Sequence, residues 1–269
     1  MIVAAPPRPD DTPDLAADLA TATERGEIEV FYQPLIWLES GVLEGFEALA
    51  RWRHPARGLI SPVTFIPMAE EMPAIHEIGR LVLAHACAQV AEWNARESLE
   101  LRISVNVSAA QLAADGLESD VSDALEMSGL AADRLTLELT ENVPVADLAR
   151  VGRRLWELRD LGLRVALDDF GTGYSSMAHL RSLPLHTLKI DKSFIDDDRG
   201  AGVALLAGVA SLGNIMGLDT VAEGIEVREQ LDRARAAGVT YGQGFLIARP
   251  MTAELASQFV SDYVAEAWA

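Results

Sequence analysis

Apolar positions along the chain follow two alternating periods. Residues 29–38 and 42–52 are dense in β-branched and aromatic side chains and read as strands, with Ser40-Gly41 turning the chain between them. A turn this short makes the two antiparallel neighbours. The rhythm then changes. Helical spacing appears over 14–25, 62–71, 77–96, 118–130, 145–162, 175–184, 202–217, 227–238 and from Thr252 onward. Between these stretches lie short apolar runs at 101–108, 134–141, 163–170, 186–191, 218–224 and 239–245, which read as further strands. Gly129, Gly162 and Gly238 stand where helices end. Strands alternating with helices imply parallel βα units. Eight strands suit a closed (β/α)8 TIM-like barrel of the α/β class, with a doubly wound open sheet as the other solution. The antiparallel start is an irregularity for a regular barrel.

The polar residues fall at equivalent places in this pattern. The run 101–108 carries Asn106, 134–141 carries Glu138, and 163–170 carries Asp168 and Asp169. Lys189 and Asp191 lie in 186–191, Glu223 in 218–224, Gln243 in 239–245 and Glu47 in the second strand. In a barrel the C-terminal strand ends converge on one face, where active sites of such folds lie. Each residue has an ordinary reading on its own. Asp168-Asp169 and Asn106 could cap helices, Glu138 with Glu141 could form a solvated edge, Lys189 could be a surface lysine, and Glu47 could pair with Arg51. Six carboxylates, an Asn and a Lys repeated at strand ends outweigh those readings.

Such a cluster needs cations, because unit charges about 4 Å apart repel by several kcal/mol at an effective dielectric near 20. The donors are all oxygens, which fits hard ions, Mg²⁺, Mn²⁺ or Ca²⁺, better than zinc. The adjacent Asp168 and Asp169 could serve two metals at once, an arrangement suited to phosphodiester chemistry. The glycines of 170–176 make a tightly turned loop beside the acids, but no Gly-Lys-Ser/Thr follows them, so it is not a phosphate P-loop.

Composition narrows the function classes. The chain has 269 residues, 49% of them hydrophobic and 23% charged, enough for a single large core. A net charge of −19 disfavours binding to polynucleotides or anionic lipid surfaces. Cys87 is the only cysteine, which leaves no intramolecular disulfide and reads as a small core residue. No apolar run is long enough to span a bilayer, and the start lacks a signal-peptide pattern, so the expected location is cytoplasmic. Residues 1–13 hold four prolines and read as a linker, leaving one domain over 14–269.

The motifs resemble those of the EAL domain family, bacterial cyclic di-GMP phosphodiesterases. Glu47-Ala48-Leu49 supplies the tripeptide that names the family, and Arg51-Trp52 follow it. YQP at 32–34, NVS at 106–108, ELTE at 138–141, DDFGTGYSS at 168–176, LKIDKSFI at 188–195, AEGIE at 222–226 and QGF at 243–245 occur in the family's order. The resemblance implies a barrel with an antiparallel first strand, and hydrolysis of cyclic di-GMP to linear pGpG with Mg²⁺ or Mn²⁺, two ions per site. It assigns Glu47, Asn106, Glu138 and Asp168 to one metal, Asp169 to the second, and Glu223 to the vicinity of both. Lys189 would hold the attacking water, and Arg51 would meet a phosphate. Gln33, Leu49, Pro62, Phe65, Asp191, Glu226 and Gln243 would contact substrate or brace the site, with residues 62–67 lining a guanine pocket. Glu141 would stabilise the loop 170–176. Departures are peripheral: Ala56 and His186 replace acids that are common in the family, and Phe245 replaces a tyrosine. Family members that have lost these residues act as catalytically silent cyclic di-GMP receptors; here all are present, which favours the enzyme. The resemblance also implies a homodimer, through helix 175–184, and leaves room for an upstream regulatory domain outside these residues.

Overall fold

A computed structural model describes residues 15–140, 148–171, 177–198 and 200–267. Strand β1 (Ile28–Trp37) and strand β2 (Leu43–His54) form an antiparallel hairpin. The connection between them is too short for a parallel crossover, which fixes the irregular start of the sheet. From β2 the pairing runs parallel through β4 (Arg102–Asn106), β5 (Leu135–Thr140), β6 (Arg164–Phe170), β7 (Thr187–Ile190), β8 (Asp219–Ala222) and β9 (Tyr241–Gly242). Strand β9 then pairs antiparallel with β1 and closes an eight-stranded barrel. The open-sheet alternative is excluded by that last pairing. A short strand β3 (Gly58–Ile60) hangs on the outer edge of β2.

Helices α1 (Leu15–Leu19), α2 (Pro62–Glu70), α3 (Ala74–Glu97), α4 (Ala109–Ala113), α5 (Leu117–Ser128) and α6 (Leu148–Asp160) precede β6 in sequence. Helices α7 (Met177–Ser182), α8 (Lys192–Asp196), α9 (Gly200–Met216), α10 (Arg228–Ala236) and α11 (Ala253–Ala267) follow it. The long α3 buries Ile75, Ile78, Val82, Ala86, Val90 and Trp93 on one stripe, the spacing expected of an amphipathic helix against a sheet. Trp93 packs edge-on to Tyr32 of β1 at 5.2 Å and against Phe46 of β2 at 4.8 Å, tying the hairpin to the helical layer. Cys87 is fully buried in this layer, as expected of a core residue. No helix among the described residues is long and apolar enough to cross a membrane.

Several elements differ from the periodicity. The first helix stops at Leu19, and turns carry the chain to Gly26. Two one-turn helices, α4 and α8, had no apolar pattern long enough to announce them. Capping stabilises both: Ser108 and Gln111 form a reciprocal capping box on α4, and Asp191 caps α8 through the Ser193 N–H. The last strand covers only Tyr241–Gly242, and just beyond it Gly244 lies so close to Ile225 that a Cβ would come within 2.2 Å of its backbone. Leu180 of helix α7 and Leu183 just after it are buried in the core, so these leucines do not offer a surface to a second copy.

Gly45 is required by the barrel wall. A Cβ there would lie 2.1 Å from the carbonyl oxygen of Arg102 on the neighbouring strand. Gly45→Ala must push two paired central strands apart, and an expected loss of about 3 kcal/mol follows from overpacking. A thermal melt that matches the parent would contradict this.

Candidate active site at the C-terminal mouth of the barrel

The strand ends bring the predicted acids together. Asn106 and Glu138 are register partners on β4 and β5, and Asp168 lies opposite Thr140 on β6. Glu47 pairs across to Gln33 of β1 and Ser104 of β4. Glu223 and Gln243 each follow directly on the last residue of β8 and β9. Glu47, Glu138, Asp168, Lys189, Gln33 and Gln243 are all buried.

Adjacent residues on a regular strand point to opposite faces, which would send only one of Asp168 and Asp169 to the mouth. The β6–β7 register shifts between Leu167 and Phe170, and Asp169 adopts φ +56°. This bulge in the left-handed region keeps both carboxylates at the same end. The Asp169 N–H donates to Asp168 Oδ1 at 2.9 Å, which fixes the pair locally. Carboxylate oxygens of Asp168, Asp169 and Glu223 lie within 4.8 Å of one another, a spacing that could hold a cation.

Lys189 supplies the counter-charge. Its Nζ donates to Glu138 Oε2 at 2.5 Å and lies 2.7 Å from Glu223, 3.2 Å from Asp168 and 3.6 Å from Glu47. Burial alone would depress this ammonium, but Asp168, Glu138, Glu223 and Glu47 together hold it well above the ordinary lysine range. One ammonium cannot neutralise four acids. Burial pushes the Glu138 carboxyl up to about 8, with Lys189 pulling it back and Glu47 and Asp168 adding to the rise. Burial raises Glu223 in the same way. Glu138 therefore retains its proton near neutral pH.

This gives a sign for metal binding. Ligating carboxylates must be ionised, so a divalent ion that bound here at pH 7 would expel the proton that Glu138 holds. Calorimetric titration of Mg²⁺ at pH 7 in buffers of different ionisation heat is expected to show proton release that shrinks above pH 8. A buffer-independent heat at pH 7 would contradict the assignment.

Amides and an arginine complete the floor. Asn106 Nδ2 donates to Glu47 Oε1 at 2.7 Å. Gln243 Nε2 donates to Glu47 Oε2 at 2.7 Å and to Gln33 Oε1 at 3.0 Å, and Gln33 Nε2 donates to the Ala248 carbonyl at 3.2 Å. These bonds fix the Glu47 carboxylate from two sides. Arg51 stands two positions beyond Leu49 on the same face of β2, with its guanidinium 5.5 Å from the centre of the Phe31 ring. Burial draws its pKa down and Glu47 works in the opposite direction.

Two cavities flank the cluster. The larger, about 680 Å³, runs from Asn106, Asp168 and Asp169 along α2, with Leu49, Pro62 and Ile66 on its walls. The smaller, about 270 Å³, lies on the other side of Glu47 and is lined by Asp191, Glu223, Glu226, Gln243 and Phe245. Asp191 accepts from the Ser193 N–H at 2.9 Å, and Glu226 is paired with Lys192 at 2.7 Å. Phe65 lies apart from these contacts: it is fully buried, edge-on to Trp52 at 6.0 Å, and does not line the larger cavity. It backs the wall that Pro62 and Ile66 present. Glu141 falls outside the described residues. Thr140, from the motif at 138–141, also lines the larger cavity, as do Glu70 and Gln111, which no motif contains. No signal in the sequence marks Glu70, which stands at the end of α2 beyond the motif residues.

The comparisons with known proteins converge on one family. The EAL domain family matches residues 16–250. The chain is 40% identical over 242 residues to the oxygen sensor protein DosP of Escherichia coli, covering 89% of this chain and 30% of that protein. It is 40% identical over 237 residues to the cyclic di-GMP phosphodiesterase PA2567 of Pseudomonas aeruginosa, covering 87% of this chain and 40% of the relative. The chain thus spans well under half the length of either curated relative. Among solved structures, the PaMucR phosphodiesterase in complex with c-di-GMP superposes with a TM-score of 0.85 at 39% identity, over 90% of this chain and 99% of that one. The EAL enzyme Bd1971, bound to cAMP and cyclic di-GMP, gives 0.86 at 29% identity, over 91% of this chain and 68% of that one. With its closed barrel, its antiparallel first strand and its strand-end acids, this chain belongs to the EAL domain family.

Proposed function

We propose that the chain hydrolyses cyclic di-GMP to linear pGpG in a reaction that depends on divalent metal. The observation that carries this reading is the Asp168-Asp169 bulge beside Lys189, with a cavity on either side. Two relatives support the substrate, one named a cyclic di-GMP phosphodiesterase and one solved with c-di-GMP bound. The donor set is all oxygen and includes three carboxylates close enough to share a cation, which fits Mg²⁺ or Mn²⁺. Glu47, Asn106, Glu138 and Asp168 would hold one ion and Asp169 the second, with Glu223 close to both. Bound there, the ions supply Lewis acidity and lower the pKa of water.

The chain's own residues do the rest. The two bases of the substrate would enter the two cavities, which sets one phosphodiester across the acids. Gln243, itself held by Gln33, fixes one oxygen of Glu47, and Asn106 holds the other. Lys189 orients water toward phosphorus, and Arg51 offsets charge on the phosphate as it passes through the transition state. Water adds to phosphorus as the bond to the 3′ oxygen breaks. The phosphate stays on the 5′ side and the released 3′ oxygen takes a proton, giving pGpG.

The test is binding and turnover measured side by side on the purified chain with Mg²⁺ or Mn²⁺. Product is expected wherever binding is seen. Tight binding with no product would support a silent receptor in place of an enzyme, and no binding would overturn the ligand itself.

A further inference from the structure

The larger cavity carries an acid that the metal set leaves unused. Its polar residues gather at the barrel mouth, and its walls along α2 and α3 are apolar, with Pro62, Ile66 and Ile78 among them. Gln111 reaches it, but that side chain is committed. Its Oε1 accepts from the Ser108 N–H at 3.1 Å, and its amide nitrogen lies so close to Gly79 that a Cβ there would come within 1.9 Å. Glu70, the last residue of α2, lines the same cavity and is exposed. Among the described residues no hydrogen bond or ion pair engages its carboxylate. The smaller cavity also has acids at its rim, but there Asp191 is bound to the Ser193 N–H and Glu226 to Lys192.

We propose that Glu70 selects the base in the larger cavity by accepting hydrogen bonds from the Watson–Crick edge of guanine, a role that rests on the cyclic di-GMP reading. Guanine presents two donors side by side, N1–H and the N2 amine, and a carboxylate presents two acceptors at matching separation. Such charge-assisted, two-point bonds are stronger than neutral ones. Adenine places an acceptor at N1, which meets the carboxylate lone pairs unfavourably. Hypoxanthine keeps N1–H but lacks the amine, so it forfeits one of the two bonds. The apolar walls hold either purine equally well and cannot make this distinction, because a hydrophobic slot discriminates poorly between near-isosteres.

The experiment compares cyclic di-GMP with its inosine analogue in the full chain and in Glu70→Gln, with Glu70→Asp as the charge-keeping control. In the parent, loss of the N2 amines is expected to raise KM by about tenfold or more, as for hydrogen bonds to a charged group. Glu70→Gln is expected to raise KM for cyclic di-GMP about tenfold, with kcat within about twofold because no reacting atom is touched. The penalty for losing the amines should shrink at least severalfold in that variant, and Glu70→Asp should restore part of it. An unchanged ratio between the two substrates in Glu70→Gln would overturn the role of Glu70 while leaving the phosphodiesterase standing. Failure of the parent to turn over cyclic di-GMP would overturn both.

Discussion

Asp169→Asn is expected to lower turnover of cyclic di-GMP by about 10³-fold or more while leaving the fold intact, because several kcal/mol of transition-state stabilisation from a bound ion go with the carboxylate. The substitution is chosen for its backbone. Asp169 sits at φ +56° in the bulge of β6, and asparagine tolerates that left-handed conformation about as well as aspartate. Alanine would add backbone strain and confuse the result. The side chain is only part-buried, so the loss of its charge leaves the core unchanged. Activity within tenfold of the parent, in a variant that melts normally, would contradict a metal role for Asp169.

Lys189→Met has the second large effect, and it acts on stability as well as on activity. The side chain is 2% exposed and is ringed by Glu47, Glu138, Asp168 and Glu223. Removing one partner of a buried ionic cluster costs about 3–5 kcal/mol, which for a chain of this size lowers the melting temperature by on the order of 10 °C. The pH dependence follows from the raised carboxyls. Glu138 titrates near 8 in the folded chain against 4.5 unperturbed, so its contribution to metal-free stability is complete below about 4.5 and lost as pH rises through 8. Without the ammonium Glu138 stays protonated to still higher pH. The gap in melting temperature between Lys189→Met and parent, measured with chelator, should therefore be wider at pH 8.5 than at pH 5.5. A gap that does not change with pH would show that Lys189 contributes packing alone. Turnover should be lost at either pH.

Much of the architecture was readable in the chain because its causes are local. A five-residue link between two strands dictates an antiparallel pair, and alternating strands and helices dictate parallel units. The acids at strand ends were visible for the same reason: once the strands are placed, Asn106, Glu138 and Asp168 follow by register. The bulge at Asp169 was not visible. A positive φ is usually marked by glycine, and here an aspartate takes it. The capped one-turn helices α4 and α8 are too short to show a period. Phe65 lies in a segment that borders the larger cavity, yet the turn of α2 directs it inward to Trp52, so membership of a motif did not settle which way a side chain points. Glu70 carries no motif at all; only the cavity shows that its carboxylate has something to face.

The most direct measurement is turnover of cyclic di-GMP by the purified chain in heavy-oxygen water, with Mg²⁺, with Mn²⁺ and with chelator, the product identified by chromatography and mass. The account predicts pGpG carrying one heavy oxygen on its 5′ phosphate, formed only when metal is present. Product formed equally in chelator, or substrate bound and left intact in both metals, would contradict it.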